Sequence, residues 1–314
     1  MARVVFFGSP DFAVPTLDAL IDSPYKPVLV VTQPDRPAGR GRHKVPTPIK
    51  SRAQESGIEV ATLASFREDS FLTRLREDRP DYFVVVAFGL IFPDHALKIA
   101  KKANINVHAS LLPAYRGASP VNMAIVNGEP FTGVTTMEMV RSLDSGPIYM
   151  QSMEPVDPME NAGELSVRLA GRGASLALDT LCGIDSGGLV PTEQPTEGVS
   201  TAPRLKKEDG LIPFSGHSLS VHNHIRGMNP WPGSYTYYRG DYIKVHRAEP
   251  CDLLKRAVAP GSILKSGSEG VLVACGSGAI SFKRLQARGK KPQEAADFIR
   301  GHPLETGEVL GGGK

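Results

Sequence analysis

The chain has 314 residues, 41% of them apolar and 22% charged, with 36 Lys and Arg against 33 Asp and Glu. That size supplies core for one large domain or two modest ones, and no apolar run reaches the roughly 18–20 residues of a membrane span. Cys182, Cys251 and Cys275 are scattered without CxxC spacing, which excludes a disulfide framework or a zinc-ribbon pattern and fits a reducing compartment.

The predicted elements begin at once. Residues 3–7 are a β-branched and aromatic run that stops at Gly8. This leaves no room for a signal or transit peptide, so a cytoplasmic protein, or a matrix protein already processed, is expected. Residues 11–21 carry apolar positions at helical spacing with Pro15 near the first turn. A buried run at 28–32, a helix over 46–56 closed by Gly57, a short strand at 58–60 and a charged helix over 67–77 follow. Residues 82–87 form a continuous apolar strand and 103–109 another. A helix over 120–126 ends at Asn127-Gly128, a strand covers 133–140, and a long amphipathic helix covers 164–181. Alternating strands and helices predict a mostly parallel sheet covered on both faces.

From 183 to 203 the pattern dissolves into Gly, Pro, Ser and Thr, the composition of a linker. Short strands are then predicted at 234–238, 242–247, 261–265, 270–275 and 279–284, with a last helix at 292–299. Such spacing predicts a small β-barrel. This part is basic: from Arg204 onward 17 Lys and Arg stand against 10 Asp and Glu, while the rest has 19 against 23. A basic C-terminal part suits a polyanionic partner.

A strand ending in glycine invites a dinucleotide reading, but Gly8-Ser9-Pro10-Asp11-Phe12-Ala13 has one glycine where the fingerprint needs three. Proline stands where backbone must approach a pyrophosphate. No nicotinamide cofactor is expected, and no metal. The stronger signal is Asn106-Val107-His108-Ala109-Ser110-Leu111-Leu112-Pro113. A strand period of two puts Asn106, His108 and Ser110 on one face, just before a loop. Ligands bind at that edge of open α/β sheets. Asp144, in Ser142-Leu143-Asp144-Ser145-Gly146, supplies a carboxylate in a turn after a strand.

Together these groups suit acyl transfer to an amine. The Asn106 amide and a protonated His108 would donate to a tetrahedral oxyanion. Asp144 would raise the pKa of His108 and keep it charged, or relay the proton. No Ser or Cys nucleophile is needed if the acyl donor is already activated. The segment 33–44 adds Arg36, Arg40, Arg42 and Lys44 around two prolines and two glycines, a combination that predicts an irregular basic loop able to grip phosphates.

These residues resemble the methionyl-tRNA formyltransferases over nearly the whole chain. The matching motifs include Phe7-Gly8-Ser9-Pro10-Asp11-Phe12-Ala13, the basic segment, Phe88-Gly89-Leu90-Ile91, the Asn106 strand and Arg116-Gly117-Ala118-Ser119-Pro120. Lys207-Glu208-Asp209-Gly210, Asn229-Pro230-Trp231-Pro232-Gly233 and Gly289-Lys290-Lys291-Pro292 match further on. The resemblance implies an α/β fold: a doubly wound, mostly parallel formyltransferase-like Rossmann variant (1–187), a linker (188–205) and an OB-like β-barrel that binds tRNA (206–314). It implies Asn106, His108 and Asp144 as the catalytic group. It places Ser110, Leu111, Leu112, Pro113, Phe88, Gly89 and Leu90 against 10-formyltetrahydrofolate as cosubstrate, and Arg36, Arg40, Arg42 and Lys44, with Arg40 foremost, at the acceptor end of initiator methionyl-tRNA. A cytoplasmic monomer is expected. The family usually has Gly-Leu-Asp-Thr-Gly-Asp around the carboxylate, where this chain has Ser142-Leu143-Asp144-Ser145-Gly146-Pro147. His108 is followed by Ala109, where Gly is also common. Ile212-Pro213-Phe214 replaces a usual Ile-Asp-Trp.

Four other readings compete. A formyltransferase for an amino sugar nucleotide would normally lack the basic loop, and one for glycinamide ribonucleotide would end near residue 200. A folate-dependent hydrolase has no use for a basic barrel. A catalytically idle RNA-binding protein would not need Asn106, His108 and Asp144 together.

Overall fold

A computed structural model describes residues 2–38, 43–67, 69–251 and 258–311. The first elements in chain order are β1 (Val4–Gly8), α1 (Val14–Ile21), β2 (Pro27–Thr32), β3 (Arg36–Ala38), β4 (His43–Val45), α2 (Pro48–Glu55), β5 (Val60–Thr62), α3 (Asp69–Asp78), β6 (Tyr82–Val86), α4 (Asp94–Leu97), β7 (Ala103–His108) and β8 (Arg116–Gly117). Then come α5 (Pro120–Val126), β9 (Phe131–Glu138), β10 (Ile148–Pro155), α6 (Ala162–Asp185), β11 (Thr201–Ala202), α7 (Ser218–Gly227), β12 (Ser234–Tyr238), β13 (Asp241–Cys251), β14 (Ile263–Gly267), β15 (Gly270–Ala274), β16 (Ala279–Ala287), β17 (Gln293–Glu294) and α8 (Ala295–Gly301). They divide into two compact units: Met1–Gly117 with Phe131–Pro155 and Ser166–Ala202, and Ala118–Pro130 with Val156–Leu165 and Pro203–Lys314.

The first unit is built on a seven-stranded sheet of order β10-β9-β7-β6-β1-β2-β5. The five strands from β7 to β5 run parallel, and β9 and β10 are antiparallel additions. Every residue of β1 and β6 is buried, which is why both read as unbroken apolar runs. Phe7 meets the rings of Phe83, Phe88 and Phe92 edge-on at 5.0, 5.4 and 5.0 Å, a favoured aromatic geometry. Strand order reverses between β1 and β6, so loops leaving the C-terminal ends of β1, β2, β6 and β7 share one edge, the edge at which open α/β sheets bind ligands. Gln33 ties two of these loops, donating from Nε2 to the Phe88 carbonyl at 2.8 Å.

The basic segment departs from expectation. Instead of an irregular loop it contains an antiparallel ribbon, with Arg36 opposite Val45, Pro37 opposite Lys44 and Ala38 opposite His43. Both strands of a two-stranded ribbon are edges, so a proline without an N–H is tolerated there.

The second unit holds an antiparallel sheet of order β12-β13-β16-β15-β14, with β17 on β16. Val221, Ile225, Val245, Val273, Phe282 and Phe298 are among its buried core. The expected barrel is an open strand path among the described residues, ending at β12 and β14. The tail touches both ends: Glu308 accepts from the Ile263 N–H at 2.7 Å, and the Gly311 N–H donates to the Tyr237 carbonyl at 2.9 Å. The same unit includes α5, which packs on α7. Asn122 donates to the Gly227 carbonyl at 2.7 Å, and Arg226 donates to the carbonyls of Asp157 and Glu160 at 3.1 and 3.2 Å.

Candidate active site

Strand β7 lies between β6 and β9, with Asn106 opposite Val85 on one side and Met137 on the other. Alternation places Asn106 and His108 on the same face. Asn106 is half-buried, and its amide makes no hydrogen bond among the described residues. That leaves a donor available at the C-terminal edge of the sheet. His108 is only 5% exposed. Its Nε2 lies 3.0 Å from the Tyr115 carbonyl and its Nδ1 3.6 Å from Asp144 Oδ2. A carbonyl only accepts, so Nε2 carries a proton. The gap to Asp144 is too long for a direct hydrogen bond.

Asp144 is 8% exposed and is held by its own backbone surroundings. Its Oδ2 accepts the Gly117 N–H at 2.8 Å. Asp144 and Tyr115, the two residues flanking the imidazole, both have left-handed backbones, with φ of 49° and 61°.

The charged imidazole expected from the sequence is not what this environment favours. Burial pushes the His108 pKa down and outweighs the upward pull of Asp144 and of the Tyr115 carbonyl. The ring loses more by desolvation than a carboxylate 3.6 Å away returns. Burial thus favours the neutral ring, whose Nδ1 lies on the Asp144 side.

The turn after β7 is fixed from below. Ser110 is fully buried and spends its hydroxyl on the Ala114 carbonyl at 2.7 Å. Thr135 on β9 donates to the Ser110 carbonyl at 2.7 Å, and Gln151 on β10 donates to the Leu112 carbonyl at 2.8 Å. Leu112 is buried, while Leu111 and Pro113 are half-exposed. Of the other expected folate contacts, Phe88 is 2% exposed and belongs to the aromatic core. Its backbone and the neighbouring Gly89 and Leu90 are what the edge presents. The side chains of Ser110, Leu112 and Phe88 are thus buried, while Leu111, Pro113, Gly89 and Leu90 reach the surface.

Lys44 is exposed in β4 and Arg36 lies in β3. Arg40 and Arg42 lie outside the described residues. Sequence reasoning missed Gln194 and Ser200. Both sit in the stretch that looked like a linker, where no periodicity marks a residue, and both hydrogen-bond to the turns around Asp144 and His108.

The formyl transferase family profile matches residues 2–181, and the profile described as formyl transferase, C-terminal domain, matches 204–303. A methionyl-tRNA formyltransferase of Trichlorobacter lovleyi is 43% identical over 308 residues, covering 98% of this chain and 96% of its own. One from Streptomyces griseus is 44% identical over 310 residues, covering 98% and 99%. Among solved structures, an N-formyltransferase from Helicobacter canadensis superposes with a TM-score of 0.68 at 19% identity, covering 91% of this chain and all of that one. That structure holds folinic acid and dTDP-3-aminofucose. A methionyl-tRNA formyltransferase from Clostridium thermocellum superposes at 0.53 with 14% identity, covering 79% and 93%. The structural likenesses speak for the fold, and the sequence relatives, matched end to end, decide the family: the chain belongs to the methionyl-tRNA formyltransferases.

Proposed function

We propose that the chain transfers the formyl group of 10-formyltetrahydrofolate to the amino group of methionyl initiator tRNA, in the cytoplasm, for translation initiation. The observation that carries this reading is the meeting of Asn106, His108 and Asp144 at the C-terminal edge of the sheet, with an unspent amide donor beside a buried imidazole–carboxylate pair. The exposed backbone at Gly89 and the half-exposed Leu90, Leu111 and Pro113 suit a flat, largely apolar donor at that edge.

In this reading the amine attacks the formyl carbon directly. The Asn106 amide donates to the oxyanion of the tetrahedral intermediate. The His108–Asp144 pair takes the proton that the amine loses on attack and returns it to the donor nitrogen as the old C–N bond breaks. One bond to carbon forms and one breaks, and the proton count closes. A neutral His108 suits this better than a charged one, because it has a lone pair to offer. We assign residues 1–187 to catalysis, 188–205 to a connecting segment and 206–314, an OB-like domain, to the tRNA. Arg36, Arg40, Arg42 and Lys44 are the residues we place at the acceptor end.

The test is formyl transfer from 10-formyltetrahydrofolate to methionyl initiator tRNA, with methionyl elongator tRNA and an amino sugar nucleotide as parallel acceptors. Selective transfer to the initiator is expected. Transfer to the sugar alone would keep the catalytic group and overturn the acceptor.

A further inference from the structure

The segment expected to be a bare linker is bonded to both sides of the catalytic pair. Gln194 Nε2 donates to the carbonyls of Asp144 and Gly146 at 2.9 and 2.8 Å. Its Oε1 accepts from Arg116 Nε and Nη2 at 3.1 and 2.6 Å. The next residue, Gly117, donates its N–H to Asp144 Oδ2. One carboxamide therefore clamps the Asp144 turn to the short strand that holds the Asp144 carboxylate. Its orientation is fixed by chemistry: flipped, its oxygen would face two carbonyls and its NH2 a guanidinium.

The same segment holds the other side. Ser200 Oγ accepts the Tyr115 N–H at 2.9 Å, and the Ser200 carbonyl accepts the Arg116 N–H at 2.9 Å. Thr201 and Ala202 then pair with Arg116 and Gly117. Tyr115 in turn presents the carbonyl that binds His108 Nε2. The two left-handed residues beside the imidazole, Asp144 and Tyr115, are thus each held by this segment. Such backbones persist where their surroundings over-determine them.

We propose that Gln194 is a positioning residue for the reaction, setting Asp144 against His108, so that the stretch 192–202 is part of the active site. Its effect on turnover rests on the formyl-transfer reading, but its effect on the geometry does not.

The test uses the full-length chain with Gln194→Met, which keeps the side-chain volume and removes every polar atom. Gln194→Glu keeps the acceptor for Arg116 and removes both donors. Formyl transfer at saturating substrates should fall about tenfold or more in both variants, with KM for each substrate within about twofold. In an Asp144→Ala background, Gln194→Met should change kcat by less than about twofold, because the residue it acts through is gone. In the absence of substrate, the ring resonances of His108, assigned by their loss in His108→Gln, should shift in both Gln194 variants. Wild-type kcat in Gln194→Met, an equal loss in the Asp144→Ala background, or unmoved His108 resonances would each overturn the proposal. A wild-type chain that transfers no formyl group, with His108 still displaced by Gln194→Met, would instead overturn the function and leave the positioning role standing.

Discussion

His108 has an acceptor on each side of its ring, the Tyr115 carbonyl at 3.0 Å and Asp144 Oδ2 at 3.6 Å. Two acceptors favour a doubly protonated ring, and burial opposes it. Burial wins, and the pKa lies below the ordinary histidine value. The sign of the pH dependence follows. If the neutral ring is the working form, kcat/KM rises with pH through a His108 pKa that burial holds below the ordinary histidine value. Asp144 pulls that pKa upward, so Asp144→Asn should move the acid limb of the remaining activity to lower pH. The substrate amine titrates too, but kcat/KM reports the free amine, which is the same for both enzymes, so the difference between those profiles isolates His108. A limb that stays put or moves up would mean that another group governs it. His108→Ala should cut kcat by about 10²–10³ with tRNA affinity nearly intact; equal loss of both would make the histidine structural. The shared face of Asn106 and His108 was legible in the sequence, because strand alternation alone puts them together. The charge state of His108 was not, since desolvation depends on what packs over the ring from elsewhere in the chain.

Elements with a strong local pattern were legible, and elements that hide their pattern were not. Predicted helices and strands over 120–126, 82–87 and 103–109 match α5, β6 and β7 to within a residue. The helix α7 escaped because it buries Ser218, His222, Asn223 and Arg226 alongside its apolar residues, which blurs the 3.6-residue rhythm. β10 escaped because it is the edge of its sheet and is half-exposed along its length. The shortest elements have the largest leverage on the site. β8 and β11 are two residues each, yet Gly117 in β8 supplies the N–H that holds Asp144. Gly117 has φ of 129°, and a Cβ there would lie 2.4 Å from the Ala202 carbonyl oxygen. Gly117→Ala should therefore push β8 off β11 and release Asp144, lowering stability by about 1–3 kcal/mol. kcat should fall together with the thermal midpoint. A variant with both unchanged would show that the β8–β11 pair does not fix the carboxylate.

At the scale of the molecule, the sequence marks a change of pattern near 183–203, while the second compact unit also takes in residues 118–130 and 156–165. No local signal announces that: α5 joins α7 through Asn122 and Gly227, and Arg226 reaches the carbonyls of Asp157 and Glu160. Cutting the chain after Pro203 should thus yield a poorly folded fragment rather than an active catalytic domain, which a lowered thermal midpoint would show. The role of the basic C-terminal part is better tested by substitution in the intact chain. Many of its cations are matched by nearby acids: Arg239 with Glu308, Arg247 and Arg284 with Glu294, Lys265 with Glu269, and Lys283 with Glu249. Arg288, Lys290 and Lys291 are exposed in one turn after β16 and have no ion-pair partner among the described residues. Exposed pairs contribute little to stability, but they leave less net field than unpaired charge, so this turn is one place where a phosphate backbone would gain. Replacing the three with Gln should leave folding intact and weaken tRNA binding. It should also flatten the log–log dependence of affinity on salt by about one unit for each phosphate that is no longer neutralised. An unchanged slope would move the phosphate-binding role to other residues, with the segment that carries Arg36 and Lys44 the next place to substitute.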